Sequence, residues 1–228
     1  MNSSTITAIV PAAGIGSRMQ SDIPKQYLKL GGQCILELTL RQLLSNDNID
    51  SIVVALHKED TWFNKLPSAS NAKINTILGG ESRADSVIQA LTLCQSEHWA
   101  LVHDAARPCV RQADITALIN YCMSTKSGGA ILAVPVKDTM KRSHNHSVQS
   151  TVCRENLWHA LTPQMFNCGE LLSAYQHAQE NNHVITDEAS AMEYVGASVK
   201  LINAHPGNIK ITRPEDLELA AFYMNKES

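Results

Sequence analysis

Short runs of β-branched and apolar residues alternate with stretches of helical periodicity along most of the chain. Thr5–Val10 (TITAIV), Ser51–Leu56 (SIVVAL), Ile74–Leu78 (INTIL), Ala100–His103 (ALVH) and Ala130–Val134 (AILAV) read as buried strands, and Val199–Asn203 (VKLIN) and Ile209–Thr212 (IKIT) follow later. Between them, Ile35–Leu44 and Ala84–Leu93 carry apolar residues at helical spacing. Ser82-Arg83-Ala84-Asp85 opens the second of these as a capping box with Asp in the Glu position. Thr212-Arg213-Pro214-Glu215 is expected to open a last helix in the same way. The alternation predicts one α/β domain over residues 1–228, Rossmann-like, with a mostly parallel sheet covered by helices on both faces. Ligands of such sheets bind beyond the carboxyl ends of the strands, so the loops there are where chemistry is sought.

One stretch breaks the pattern. Lys137–Arg154 (KDTMKRSHNHSVQSTVCR) is polar, with Ser143-His144-Asn145-His146-Ser147 as a turn between two moderately strand-like arms. A structureless loop of that length is unusual in a compact domain, and the arms predict a projecting β-hairpin.

Composition narrows the class. A chain of 228 residues with 44% apolar and 18% charged positions can bury a substantial core and is globular rather than disordered. Its net charge of −3 argues against non-specific nucleic-acid binding. No apolar run approaches the roughly 20 residues of a membrane helix, and Met1-Asn2-Ser3-Ser4 lacks the basic start of a signal peptide, so a cytoplasmic location is expected. Cys34, Cys94, Cys109, Cys122, Cys153 and Cys168 are scattered without a C-x-x-C pair and read as reduced thiols. His144 and His146 lie close together, but no third ligand accompanies them to make a zinc site.

The loop after the first strand is Pro11-Ala12-Ala13-Gly14-Ile15-Gly16-Ser17-Arg18-Met19. Small residues let a backbone bend tightly and aim its N–H groups at phosphate oxygens. It lacks the Gly-Lys-Ser/Thr ending of a Walker loop, and Arg18 and Met19 stand where a dinucleotide fingerprint would need another glycine. Arg18 and, seven residues on, Lys25 add the guanidinium fork and the ammonium point charge that a triphosphate requires.

The run P-A-A-G-x-G-x-R-M followed by Pro24-Lys25-Gln26 resembles the signature of the pyrimidine nucleotidyltransferases, and within them the 2-C-methyl-D-erythritol 4-phosphate cytidylyltransferases of the non-mevalonate isoprenoid pathway. The similarity extends from Ile6 to about Ala220. It implies a nucleotide site formed by Ala12, Ala13, Gly14, Gly16 and Ala105, with Gly80 and Ser86 facing base and ribose. Arg18, Lys25, Asp104 and Lys210 are implied as catalytic. Asp104, in the segment His103-Asp104-Ala105-Ala106-Arg107-Pro108, ends a strand where a Mg²⁺ carboxylate is expected. Thr139 and Arg154 bracket the hairpin. The resemblance implies that this arm reaches across a homodimer so that they, with Arg107, hold the acceptor phosphate. Thr186 and Asp187 open a helix, and by resemblance they lie beside the acceptor alcohol; for Thr186 a capping role is an equal reading. Lys210, flanked by Ile209 and Ile211, reads as ending a strand at the same sheet edge.

The implied reaction joins CTP to a small phosphorylated polyol. Three other readings are open. A ribitol 5-phosphate cytidylyltransferase would share the nucleotide loop, although His103–Arg107 and Arg83–Val87 favour methylerythritol phosphate. A non-catalytic nucleotide-binding module should have lost one of Lys25, Asp104 or Lys210, and none is missing. A Rossmann oxidoreductase needs an acidic residue at the end of its second strand, where this chain has Leu56-His57-Lys58.

Overall fold

The computed structural model describes residues 5–14, 23–125 and 128–226. The chain opens with β1 (Ile6–Pro11), then a short hairpin of β2 (Lys29–Leu30) and β3 (Gln33–Cys34), α1 (Ile35–Leu44), β4 (Ser51–Leu56) and β5 (Ile74–Leu78). Next come α2 (Arg83–Leu91), β6 (Trp99–Val102), α3 (Gln112–Thr125) and β7 (Gly129–Pro135). The hairpin strands β8 (Met140–His144) and β9 (Ser147–Val152) precede β10 (Trp158–Asn167). The chain finishes with α4 (Cys168–Glu180), α5 (Glu188–Tyr194), β11 (Val199–Asn203) and α6 (Glu215–Asn225).

Among the described residues seven strands form one sheet in the order β11-β7-β10-β6-β1-β4-β5. All neighbours are parallel except β10, which runs antiparallel to both β6 and β7. The two-residue side-chain period of β1 explains why both faces are covered. Ile6, Ala8 and Val10 pack with α1 and α3 through Leu36, Leu40, Ile115 and Leu118. Ile9 turns the other way, toward Val87 and Leu91 of α2, Leu171 and Tyr175 of α4, and Met192 of α5. A third cluster sets α6 against the β2–β3 hairpin through Leu30, Ile35, Ile211 and Ala220. The expected mostly parallel, two-sided α/β fold is what the chain adopts. β1 pairs with β4 on one side and β6 on the other, so chain direction across the sheet reverses beside β1, and a crevice opens at its carboxyl end.

Three local expectations are corrected. Ile209–Thr212 is not a strand: it joins no ladder and is tied to the segment that follows β6 by Ile211 N–H donating to Ala106 O at 2.9 Å. Its apolar alternation reflects burial of Ile211 in the third cluster rather than a ladder. The last helix has no Thr212–Glu215 capping box. Pro214 occupies the cap, and Asp216, one residue later, accepts from Thr212 N, Thr212 Oγ1 and Arg213 N. At α5 the cap is Asp187, not Thr186, with Ser190 completing a reciprocal box. The box at Ser82–Asp85 is present as expected.

β8 and β9 form the expected hairpin, turning through Asn145 and His146, whose φ values of 46° and 62° are the left-handed pair that a tight turn requires. Its side chains are exposed nearly throughout.

Candidate active site

The crevice beyond β1 is a cleft of about 390 Å³. Its walls are the strand-end segments Pro11–Gly14, Gly80–Arg83 and Asp104–Ala106, joined by Ser86, Lys25, Gln26, Lys210 and Thr212. Ala12 N–H bonds Ala55 O and Gly79 N–H bonds Leu56 O, each at 2.8 Å, so the first two walls continue the sheet ladder. They pack too closely for larger residues. A Cβ on Gly79 would stand 2.5 Å from the Ala13 methyl and 2.9 Å from Ser86 Oγ, and one on Gly80 would overlap the Asp85 side chain. Ser86 Oγ accepts from Gly80 N and donates to Ser82 O, tying this turn to the start of α2.

Lys25 is carried on a 3-10 turn anchored at two points. Gln26 Nε2 donates to Ala12 O at 2.7 Å, and Tyr27 OH donates to Asp60 Oδ2 at 2.6 Å while its ring stacks on Trp62. Burial, then Asp60, push the Tyr27 phenol pKa upward, so it stays a donor at all ordinary pH. The Lys25 Nζ reaches Ile211 O at 3.3 Å, bringing the two lysine-bearing segments together.

Asp104 is the electrostatic centre. Among the described residues three cations converge on it: Arg83 Nε at 3.0 Å from Oδ1, and Lys210 Nζ at 2.9 Å and Arg107 Nε at 3.3 Å from Oδ2. Burial alone would raise the pKa of its carboxyl group; Arg83, Lys210 and Arg107 outweigh that and hold it well below the carboxylate range. Arg83 extends the network inward, with Nη1 and Nη2 at 2.7 and 3.0 Å from the two oxygens of Glu188. Glu188 is fully buried and also accepts from Tyr175 OH at 2.8 Å. Arg83, Asp104 and Lys210 all reach the cleft wall, and Lys210, whose side chain keeps 37% exposure, is the most open of them.

The cleft thus gathers Ala12, Ala13, Gly14, Lys25, Gly80, Ser86, Asp104, Ala105 and Lys210. Arg18 and Gly16 lie outside the described residues. Arg107 is brought near but beneath: it is buried, and its Nη1 bonds Asn208 O at 2.7 Å, so it holds Asp104 and the 208–212 segment instead of lining the cleft. Thr186 and Asp187 do not line the cleft, and Asp187 joins α5 to Gln164 of β10 at 2.9 Å. Thr139 and Arg154 stand on the arm, outside the cleft wall, where Arg154 Nη1 bonds Lys137 O.

Arg83, Glu188, Gln26 and Thr212 are site residues that sequence reasoning missed. For Arg83 and Glu188 the signal was weak: each is the first residue of a helix, next to a motif assigned to capping.

For magnesium, the donor set is narrow. Among the described residues no three acidic, His or Cys side chains cluster as a chelating site. Both Asp104 oxygens already accept from cations, which fits an ion carried mainly by phosphates, with one protein carboxylate near it.

A doubly wound sheet with its switch-point cleft ringed by close-packed small residues and by Lys25 and Lys210 is the kind of site an α/β nucleotidyltransferase carries. The family model of 2-C-methyl-D-erythritol 4-phosphate cytidylyltransferase (IspD) matches residues 6–226, and the chain belongs to that family. It is 54% identical over 223 residues to the 2-C-methyl-D-erythritol 4-phosphate cytidylyltransferase of Shewanella loihica, covering 96% of this chain and 92% of that one. It is 51% identical over 220 residues to the enzyme of the same name from Shewanella pealeana, covering 96% and 95%. The crystal structure of the Francisella tularensis enzyme superimposes with a TM-score of 0.85 at 39% identity, covering 96% of this chain and all of that one.

Proposed function

We infer that this protein transfers a cytidylyl group from CTP to 2-C-methyl-D-erythritol 4-phosphate, releasing pyrophosphate, in the non-mevalonate route to isoprenoid precursors. The observation that carries the reading is the chain of charges from Glu188 through Arg83 and Asp104 to Lys210, which ends on a cleft built for a nucleotide.

The chemistry needs what the cleft supplies. A phosphate monoester has a second pKa near 6, so the attacking oxygen is already ionised at neutral pH and no general base is required. Consistent with that, no His or Cys lines the cleft among the described residues. The barrier lies in bringing two polyanions together and in the charge that develops at the α-phosphorus, so positioning and electrostatics should dominate. Lys25, with Arg18, would hold the triphosphate and Lys210 would stabilise the α-phosphate. Magnesium borne on the triphosphate would neutralise phosphate charge, and Asp104 is the residue that would hold it. The acceptor phosphate would be held by Thr139 and Arg154 of the arm from a second subunit, with Thr186 and Asp187 beside the polyol. Arg107, buried under Asp104, would act on the acceptor only indirectly.

In the described residues no helix is long and apolar enough to cross a membrane, and the cysteines form no disulfide. A reducing cytoplasm is the compartment we propose.

Pyrophosphate release tests the assignment directly, with each nucleoside triphosphate crossed against methylerythritol 4-phosphate and ribitol 5-phosphate. CTP with methylerythritol 4-phosphate should give the highest kcat/KM, and EDTA should abolish turnover. A higher kcat/KM with ribitol 5-phosphate would overturn the acceptor, and EDTA-insensitive turnover would overturn the metal.

A further inference from the structure

We propose that Glu188 is a positioning residue for the transfer step, acting through Arg83 and Asp104 to hold the Lys210 ammonium at the cleft. The inference rests on the cytidylyl-transfer reading and adds to it a residue that touches no substrate.

Arg83 uses three donors on two carboxylates: Nε on Asp104, and Nη1 and Nη2 on Glu188. A guanidinium prefers a two-pronged pair with a single carboxylate, and that preference is met by Glu188. From Arg83, Asp104 therefore receives only the Nε contact on Oδ1, which leaves Oδ2 to Lys210 at 2.9 Å and to the buried Arg107 at 3.3 Å. Glu188 is well placed to impose this division. It is the first residue of α5, fixed by the Asp187–Ser190 box. Arg83 is likewise the first residue of α2, fixed by the Ser82–Asp85 box. Without the Glu188 charge, Arg83 is left facing a single carboxylate, and its fork can close on both oxygens of Asp104. Lys210, a point charge on a flexible four-carbon stem, would then lose Oδ2 and its fixed position.

The consequence is a separation of kcat from KM. Lys25 and the strand-end loops bind the ground-state triphosphate, whereas a fixed Lys210 matters most as charge builds at the α-phosphorus. Glu188→Gln keeps the shape and one acceptor oxygen while removing the charge and one prong of the Arg83 pair. It should lower kcat by about thirtyfold and change the KM for CTP by less than about threefold. Tyr175→Phe removes one hydrogen bond to Glu188 and keeps the Arg83 pair. It should lower Tm yet leave kcat within about twofold of wild type.

Steady-state kinetics with CTP and methylerythritol 4-phosphate, beside thermal unfolding of each variant, form the test. A folded Glu188→Gln with wild-type kcat would overturn the proposal. So would a rise in KM alone, or an equal loss of kcat in Tyr175→Phe, since the effect would then follow substrate binding or packing. Should Glu188→Gln fail to fold, Arg83→Lys decides in its place: a lysine cannot span both carboxylates, and wild-type kcat there would overturn the proposal. If wild-type protein itself shows no turnover with this substrate pair, the functional reading fails first, an outcome distinct from active wild type with unaffected variants.

Discussion

His103 is fully buried beside the Asp104 carboxylate, and its hydrogen bonds fix its tautomer. Arg107 O can only accept, so Nε2 carries the proton and donates to it, and the neutral ring's Nδ1 accepts from the Thr162 hydroxyl, whose oxygen in turn accepts from Asp104 N–H. The ring is a neutral brace behind Asp104. Burial pushes its pKa down to about 4, below the roughly 6.5 of an exposed histidine. The unfolded chain therefore takes up the proton first: stability from neutral His103 is complete above about pH 6.5 and is lost as pH falls toward 4, about 3 kcal/mol in all. Urea unfolding at about pH 7 and about pH 4.5 should show His103→Gln losing about 2.5 kcal/mol less than wild type on acidification. Equal losses would mean that His103 does not titrate on unfolding. Individual residues were legible to different degrees. Asp104 and Lys210 stood out as charges beside apolar, strand-like residues, whereas Lys25, alone no more than a surface lysine, stood out only with Arg18, the glycine turn and the family motif. Glu188, Arg83 and Thr162 did not, since nothing in a linear pattern says which buried charge meets which across 105 positions of chain.

At the scale of elements, parallel strands and the helices beside them were readable because both faces of the sheet are buried, giving continuous apolar runs with capped helices between. β10 was not assigned. Pro163 and the polar Thr162 and Gln164 interrupt it, and its pairing with β7 shifts register between Ala160 and Gln164. Those same residues brace the site: Gln164 bonds Asp187 and Ala189 N, and Thr162 bonds Asp104, so the irregularity coincides with site support. The turn from β5 into α2 gives an element-level test. A methyl at Gly80 would overlap Asp85, whose backbone N–H and side chain form the box with Ser82. Gly80→Ala should therefore loosen the first turn of α2, lowering stability by about 1–3 kcal/mol in urea unfolding and raising the KM for CTP. Unchanged stability with unchanged KM would show that the turn accommodates the methyl.

For the molecule as a whole, the arm is the feature that a single chain leaves unexplained. Its length and turn were legible from the polar run and its central Ser-His-Asn-His-Ser, but no sequence pattern states what covers it. An isolated two-stranded hairpin is only marginally stable, and this one exposes Met140 and Val148, with Trp158 exposed just beyond it. Thr139 and Arg154 stand on it, outside the cleft of their own chain. Reciprocal arm exchange in a symmetric dimer would cover the apolar side chains and deliver Arg154 to the partner's cleft, while Lys25 serves its own. Lys25→Ala and Arg154→Ala dimers should then each be nearly inactive, at least a hundredfold below wild type by the order of magnitude typical for one lost phosphate-stabilising group. In a mixed dimer one site combines the intact cleft of the Arg154→Ala chain with the intact arm of the Lys25→Ala chain, and the other site carries both lesions. With equal subunits pairing at random, half the dimers are mixed and half of their sites are intact, so about a quarter of wild-type activity should return. If Arg154 serves its own chain, every site keeps a lesion and mixing restores nothing. Activity that stays at the level of the separate variants, with mixed dimers demonstrated by differential tagging, would exclude a shared site.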